Sequence, residues 1–230
     1  MLLAILATSL AQVTANPTTT PTDRLSAAWW ADRHKTYVER TVKNDFDVAV
    51  LGDSITQGWD STGKSVWNEE FAGLRAANFG CSGDRTQHVL WRLDNGELLG
   101  SGVKLVALLI GTNHAGDPKD SAESVAEGVR AIVDRLLART KAQILIQAIF
   151  PRDNLPTAAV RQKNDRVNAI IATFADQKRV HFVDFSSKFL HPDGTLRTLF
   201  LPDRLHLSRN GYQLWANGLV PAMRGLLETR

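Results

Sequence analysis

The sequence predicts an α/β protein in three layers, a parallel sheet with helices on both faces, and three observations predict it. Five short apolar runs each end at Gly, Pro or a polar turn, as strands buried on both faces do. Segments with apolar residues at helical spacing lie between them. This strand–helix alternation runs through the chain without internal repeat or interior linker. With 230 residues, 43% hydrophobic and 22% charged, the composition is that of an ordinary globular domain. A chain of this size needs neither disulfide nor metal to hold its core.

The elements follow in order. Asp23 to Lys43 carries Trp29, Trp30, Tyr37, Val38 and Val42 at spacings that suit an amphipathic helix. The expected strands are Asp47–Leu51, Ala77–Phe79, Leu105–Ile110, Ile144–Phe150 and His181–Phe185. Val125, Val129, Ile132, Val133, Leu136 and Leu137 mark one helix, and Val160, Val167, Ile170, Ile171 and Phe174 another. The last helix is expected from about Arg209 to Leu227, with Ser208 as its N-cap.

The N-terminus reads as an export signal. Met1–Leu10 is an apolar run too short to span a bilayer, and Val13-Thr14-Ala15 places small residues before a cleavage point. Residues 1–15 are therefore expected to be a signal peptide and 16–230 a single domain. Secretion or a periplasmic location follows, with a cytoplasmic location if the segment is no signal. The net charge of +3, without clustered basic residues, gives no reason to expect a nucleic-acid partner. The one cysteine, Cys81, excludes an intrachain disulfide and reads as structural.

Chemistry gathers at the strand ends, where open parallel sheets bind ligands. Gly52-Asp53-Ser54 follows the first strand, Gly80-Cys81-Ser82-Gly83-Asp84 the second and Gly111-Thr112-Asn113 the third, while Asp203-Arg204-Leu205-His206 precedes the last helix. A serine hydroxyl needs a base to become a nucleophile, and His206 is the candidate. Asp203, three residues earlier, would hold the ring's tautomer and stabilise the imidazolium. The oxyanion of acyl transfer needs converging donors, which the backbone N–H groups of Ser54 and Gly83 and the amide of Asn113 can supply. An imidazole base also predicts activity that rises with pH as the ring loses its proton.

Rival chemistries lack their residues. Thr56 stands where a Gly-x-Ser-x-Gly elbow needs its second glycine. No Walker A or dinucleotide fingerprint follows a strand, and the six histidines form no His-Glu-x-x-His. A glycosidase built on Asp53 and Asp203 leaves Gly83 and Asn113 without a role. The remaining rival is a binding module that holds acylated sugars or a protein partner without turnover. Asp53 and Asp84 read as loop-bracing groups. Trp59 reads as a packing residue under the site, with a sugar-stacking face as the alternative.

At these residues the chain resembles the SGNH, or GDSL-type, hydrolases. Asn78–Glu97, His191–Gly194 and Leu205–Tyr212 resemble most closely the catalytic-subunit group of the intracellular platelet-activating-factor acetylhydrolases. Ser54–Trp59 and Gly63–Trp67 are more similar to secreted bacterial members. The likeness covers about Asp47 to Leu227. It implies a flavodoxin-like five-stranded sheet of order 2-1-3-4-5, no cofactor and no metal, and hydrolysis of short acyl esters. The family's catalytic positions fall on Ser54, Gly83, Asn113 and His206, with Asp203 completing the pair. His114 stands where many relatives carry a second Asn. The implied substrate is a small acyl ester or an acetylated carbohydrate, with lysophospholipid or lipid acetyl esters as the alternative. The resembled subunits dimerise, which leaves a homodimer open.

Overall fold

The computed structural model describes residues 16–228. The expected signal peptide, Met1–Ala15, lies outside the described residues.

Five strands form one parallel sheet: β1 (Val48–Gly52), β2 (Ala76–Gly80), β3 (Leu105–Leu109), β4 (Gln143–Gln147) and β5 (Val180–Val183), in the order β2-β1-β3-β4-β5. The order is the one the resemblance implies. Side chains alternate along each strand, so the sheet feeds two cores. Ala49, Leu51, Val106, Leu108, Ile144 and Ile146 face one of them, and Val48, Val50, Leu105, Ala107, Leu109 and Leu145 face the other. Burying each large aliphatic chain contributes about 1.5–3 kcal/mol, which is why the central strands read as uninterrupted apolar runs.

Among the described residues seven helices cover the two faces: α1 (Ala28–Lys43), α2 (Ser54–Gln57), α3 (Lys64–Glu70), α4 (Thr86–Asp94), α5 (Ala122–Arg139), α6 (Ala159–Ala172) and α7 (Arg209–Glu228). Helices α1, α4, α5 and α6 contribute to the first core, and α2, α3 and α7 to the second. Ser208 caps α7 as expected, its hydroxyl accepting the Gly211 N–H at 3.3 Å. None of the described helices is long and apolar enough to cross a membrane.

Three departures from expectation have local causes. The first helix starts at Ala28 rather than Asp23, because residues 23–27 form a turn in which Asp23 accepts the Leu25 N–H and Ala27 bonds Arg24 O. The fourth strand stops at Gln147 instead of Phe150. The Asn168 amide takes both backbone groups of Ile149, accepting its N–H at 2.7 Å and donating to its carbonyl at 2.9 Å, so they pair outside the ladder. Helix α4 was not expected from periodicity, since Arg92 occupies a fully buried position where the pattern calls for an apolar residue.

Candidate active site

The site begins with the turn after β1. Gly52 has no room for a side chain, since a Cβ there would stand 2.3 Å from Leu109 O on the neighbouring strand. Asp53 then caps α2, its Oδ1 accepting the Ile55 N–H at 3.0 Å, and Ser54 becomes the first residue of that helix. Burial pushes the Asp53 carboxyl up to about 7, against the opposing pull of the Ile55 hydrogen bond. Its role here is to brace the turn, as the sequence suggested.

The loop before α7 brings the second and third groups. Asp203 Oδ1 accepts the backbone N–H groups of Leu205 and His206, each at 3.0 Å, and Oδ2 lies 2.6 Å from His206 Nδ1. Burial acts to raise the Asp203 carboxyl, but these hydrogen bonds outweigh it and hold the group below the usual carboxylate range. The far nitrogen of the ring, His206 Nε2, lies 2.9 Å from Ser54 Oγ across 152 positions of sequence. Serine, imidazole and carboxylate are thus in one hydrogen-bonded row.

The loop after β2 is held at three of its peptide units. Gln57, in the serine's own helix, accepts the Ser82 N–H at 2.7 Å. Arg24 donates to Ser82 O at 2.7 Å, and Asn113 Nδ2 donates to Asp84 O at 2.9 Å. Asn113 has a second amide N–H beyond that bond. Gly83 sits at φ +72°, a conformation that favours glycine. The Asp84 side chain is fully buried and takes the Trp30 indole N–H at 2.8 Å and the Arg92 guanidinium at 2.9 Å. It braces the loop from behind.

A cavity of about 150 Å³ lies at the serine, lined by Ser54 and His206 and by Gln57, Ser61, Thr62, Ser82 and Leu201 among others. Ser82 borders it, whereas Gly83 and Asn113 are not in its wall. A larger depression, of about 530 Å³ between residues 100–104 and 138–141, lies at the opposite sheet edge, away from the serine–histidine pair.

The remaining sequence-derived residues fall into place as packing or bracing. Trp59 is 1% exposed and packed among Trp67, Phe71, Tyr212 and Trp215, which removes the sugar-stacking alternative. Cys81 is buried, and burial pushes its thiol up to about 12, so it does not form a thiolate at neutral pH. His114, the residue after Asn113, is buried. Its Nε2 accepts the Thr86 N–H at 3.1 Å, so Nδ1 carries the proton toward Asp120 at 2.7 Å. Burial lowers its proton affinity, and it braces the turn as a neutral ring. Sequence reasoning missed Gln57 and Arg24, whose partners are backbone groups of a distant loop and leave no pattern in the chain.

A serine–histidine–aspartate row at the carboxyl edge of a five-stranded parallel sheet places this protein among three-layer α/β hydrolases. More particularly, the chain belongs to the GDSL-like lipase/acylhydrolase family, whose model matches residues 50–214. It is 39% identical over 202 residues to platelet-activating factor acetylhydrolase IB subunit alpha1 of Bos taurus, covering 86% of this chain and 84% of that one. The fold matches a GDSL-like lipase from Bacteroides thetaiotaomicron with TM-score 0.68 and 19% identity, over 84% of this chain and 97% of that one. It also matches Axe2, an acetylxylan esterase from Geobacillus stearothermophilus, with TM-score 0.61 and 18% identity, over 79% of this chain and 94% of that one. Membership makes the protein an ester hydrolase.

Proposed function

We propose that residues 16–230 act as one serine esterase domain that removes short acyl groups, acetyl foremost, from small or carbohydrate alcohols. The observation that carries the reading is the 2.9 Å approach of His206 Nε2 to Ser54 Oγ, with Asp203 on the ring's other nitrogen. Ser54 Oγ attacks the ester carbonyl while His206 takes its proton. The tetrahedral oxyanion is met by the N–H groups of Ser54 and Gly83 and the free amide N–H of Asn113. Collapse expels the alcohol, which receives the proton from His206. Water, activated by the same ring, then releases the acid from the acyl-serine.

The size of the cavity favours a short acyl group. Its polar rim of Gln57, Ser61, Thr62 and Ser82 offers hydrogen-bonding groups to a hydroxyl-rich leaving group, which favours acetylated carbohydrate. The acetylhydrolase relatives favour a second reading, an acetylated lipid. A panel of p-nitrophenyl esters from two to twelve carbons, with acetylated xylan and an acetylated ether phospholipid beside it, tests both. Turnover that peaks at the two-carbon ester with release of acetate from xylan is expected. Peak activity at eight carbons or beyond would overturn the short-acyl reading. Equal rates in wild type and Ser54→Ala would instead favour the binding module. Export belongs to the same proposal, and sequencing the N-terminus of the mature protein tests it: a start at Asn16 is expected, and a retained Met1 overturns it.

A further inference from the structure

We infer that Arg24, carried by the N-terminal strap, is a positioning residue that aims the Gly83 N–H at the developing oxyanion. The inference rests on the proposed role of Gly83. Arg24 Nη1 donates to Ser82 O at 2.7 Å, and the carbonyl of Ser82 belongs to the same peptide unit as the N–H of Gly83. In a planar trans peptide these two groups point in opposite directions, so a donor that pins the carbonyl also sets the N–H. Glycine at φ +72° leaves this unit free to turn over, because both signs of φ are open to it. An external clamp is therefore required to select one orientation, and a charged donor makes the stronger clamp. It also polarises the peptide and strengthens the opposite N–H as a donor.

The clamp is built from two sides. Arg24 Nη1 also pairs with Asp84 Oδ1 at 3.2 Å, and its guanidinium carbon lies 5.2 Å from the centre of the Trp29 ring. The strap that delivers it is tied down along its length. Thr18 O accepts the Thr86 hydroxyl at 2.8 Å, and the Thr22 N–H donates to Gln87 O at 3.2 Å, both on α4. A Cβ at position 83 would stand 3.2 Å from Arg24 Nη1, so the guanidinium lies directly against the glycine.

Arg24→Met keeps the aliphatic stem and removes the donors, Arg24→Lys keeps one point charge, and Arg24→Ala opens a space that methylguanidinium can enter. With p-nitrophenyl acetate, Arg24→Met should lower kcat about 10–100-fold with KM within about twofold, the pattern of a lost transition-state interaction. Arg24→Lys should recover part of that loss, and millimolar methylguanidinium should raise kcat of Arg24→Ala at least about fivefold. A merely structural role would not show this split or this rescue. A folded Arg24→Met enzyme with kcat within about twofold of wild type overturns the inference, as does a loss that neither lysine nor methylguanidinium restores. Ser54→Ala is measured alongside. Its retention of activity sinks the esterase reading itself, whereas a dead Ser54→Ala beside a fully active Arg24→Met sinks only the clamp.

Discussion

Asp203 holds His206 at 2.6 Å although 48% of the aspartate side chain is exposed to solvent. An ion pair in so wet a place contributes little to stability. In the proposed mechanism its value lies in direction, since the carboxylate fixes Nδ1 as the protonated nitrogen and leaves Nε2 facing Ser54. The Asp203 carboxyl stays ionised through the working range because its backbone and imidazole hydrogen bonds favour the charge. Asp203→Asn is expected to lower kcat by about 10³–10⁴ while the melting temperature moves little. Initial rates and a thermal melt on the same preparation check this, and a loss below tenfold would take Asp203 out of the mechanism.

Ser54→Ala and His206→Ala should each lower kcat by about 10⁴–10⁶, and the double variant should lose scarcely more, because in the proposed mechanism the two act as a unit. Single-turnover assays with p-nitrophenyl acetate measure it. Additive losses would show that the groups act independently.

Asn113→Ala is expected to lower kcat by about 10²–10³ with KM little changed. The same amide holds Asp84 O at 2.9 Å, so a modest fall in melting temperature should accompany the kinetic loss. A change confined to KM would place Asn113 in substrate binding.

Asp53 sets a pH dependence of stability. Its carboxyl is raised by burial to about 7 in the folded protein, against about 3.9 in an unfolded chain. Between these values the native state binds the extra proton, so the contribution is complete below about pH 3.9 and is lost as pH rises through about 7. Asp53→Asn keeps an oxygen for the Ile55 N–H and abolishes the titration. Urea unfolding at pH 5 and 8.5 should show the asparagine variant gaining on wild type at the higher pH, and an unchanged difference would refute the assignment.

His88 acts with the opposite sign. Burial, and then the positive charges of Arg24, Arg85 and Arg92, lower it to about 4, while Asp84 Oδ1 lies 3.9 Å away. Its neutral Nδ1 accepts the Arg85 N–H at 2.9 Å at the start of α4. An unfolded histidine titrates at about 6.5, so stability is lost as pH falls from there toward about 4. Glutamine can make the same capping bond without titrating. His88→Gln should therefore flatten the fall in urea midpoint between pH 7 and 4.5, and a profile identical to wild type would rule His88 out as its source.

Much of the fold was readable because its signals are local. Val48–Leu51 and Leu105–Leu109 are apolar throughout since both faces of the sheet are covered, and Ser208 caps the helix that begins at the next residue. Helix α4 was hidden by Arg92, whose charge is buried only because Asp84 and Glu97 lie against it at 2.9 and 2.7 Å. The end of β4 was hidden for a similar reason, as Asn168 reaches Ile149 from another helix.

By itself the sequence determined the layered α/β class and the residues able to carry acyl-transfer chemistry, because apolar period and turn chemistry are written within a few neighbouring positions. Only the tertiary structure decided that Ser54 meets His206, that Trp59 is sealed inside, and that Gln57 and Arg24 hold Ser82 at its N–H and at its carbonyl. Those relationships depend on how strands and helices pack, which brings far-apart backbone groups within reach of side chains that carry no local mark of their partners.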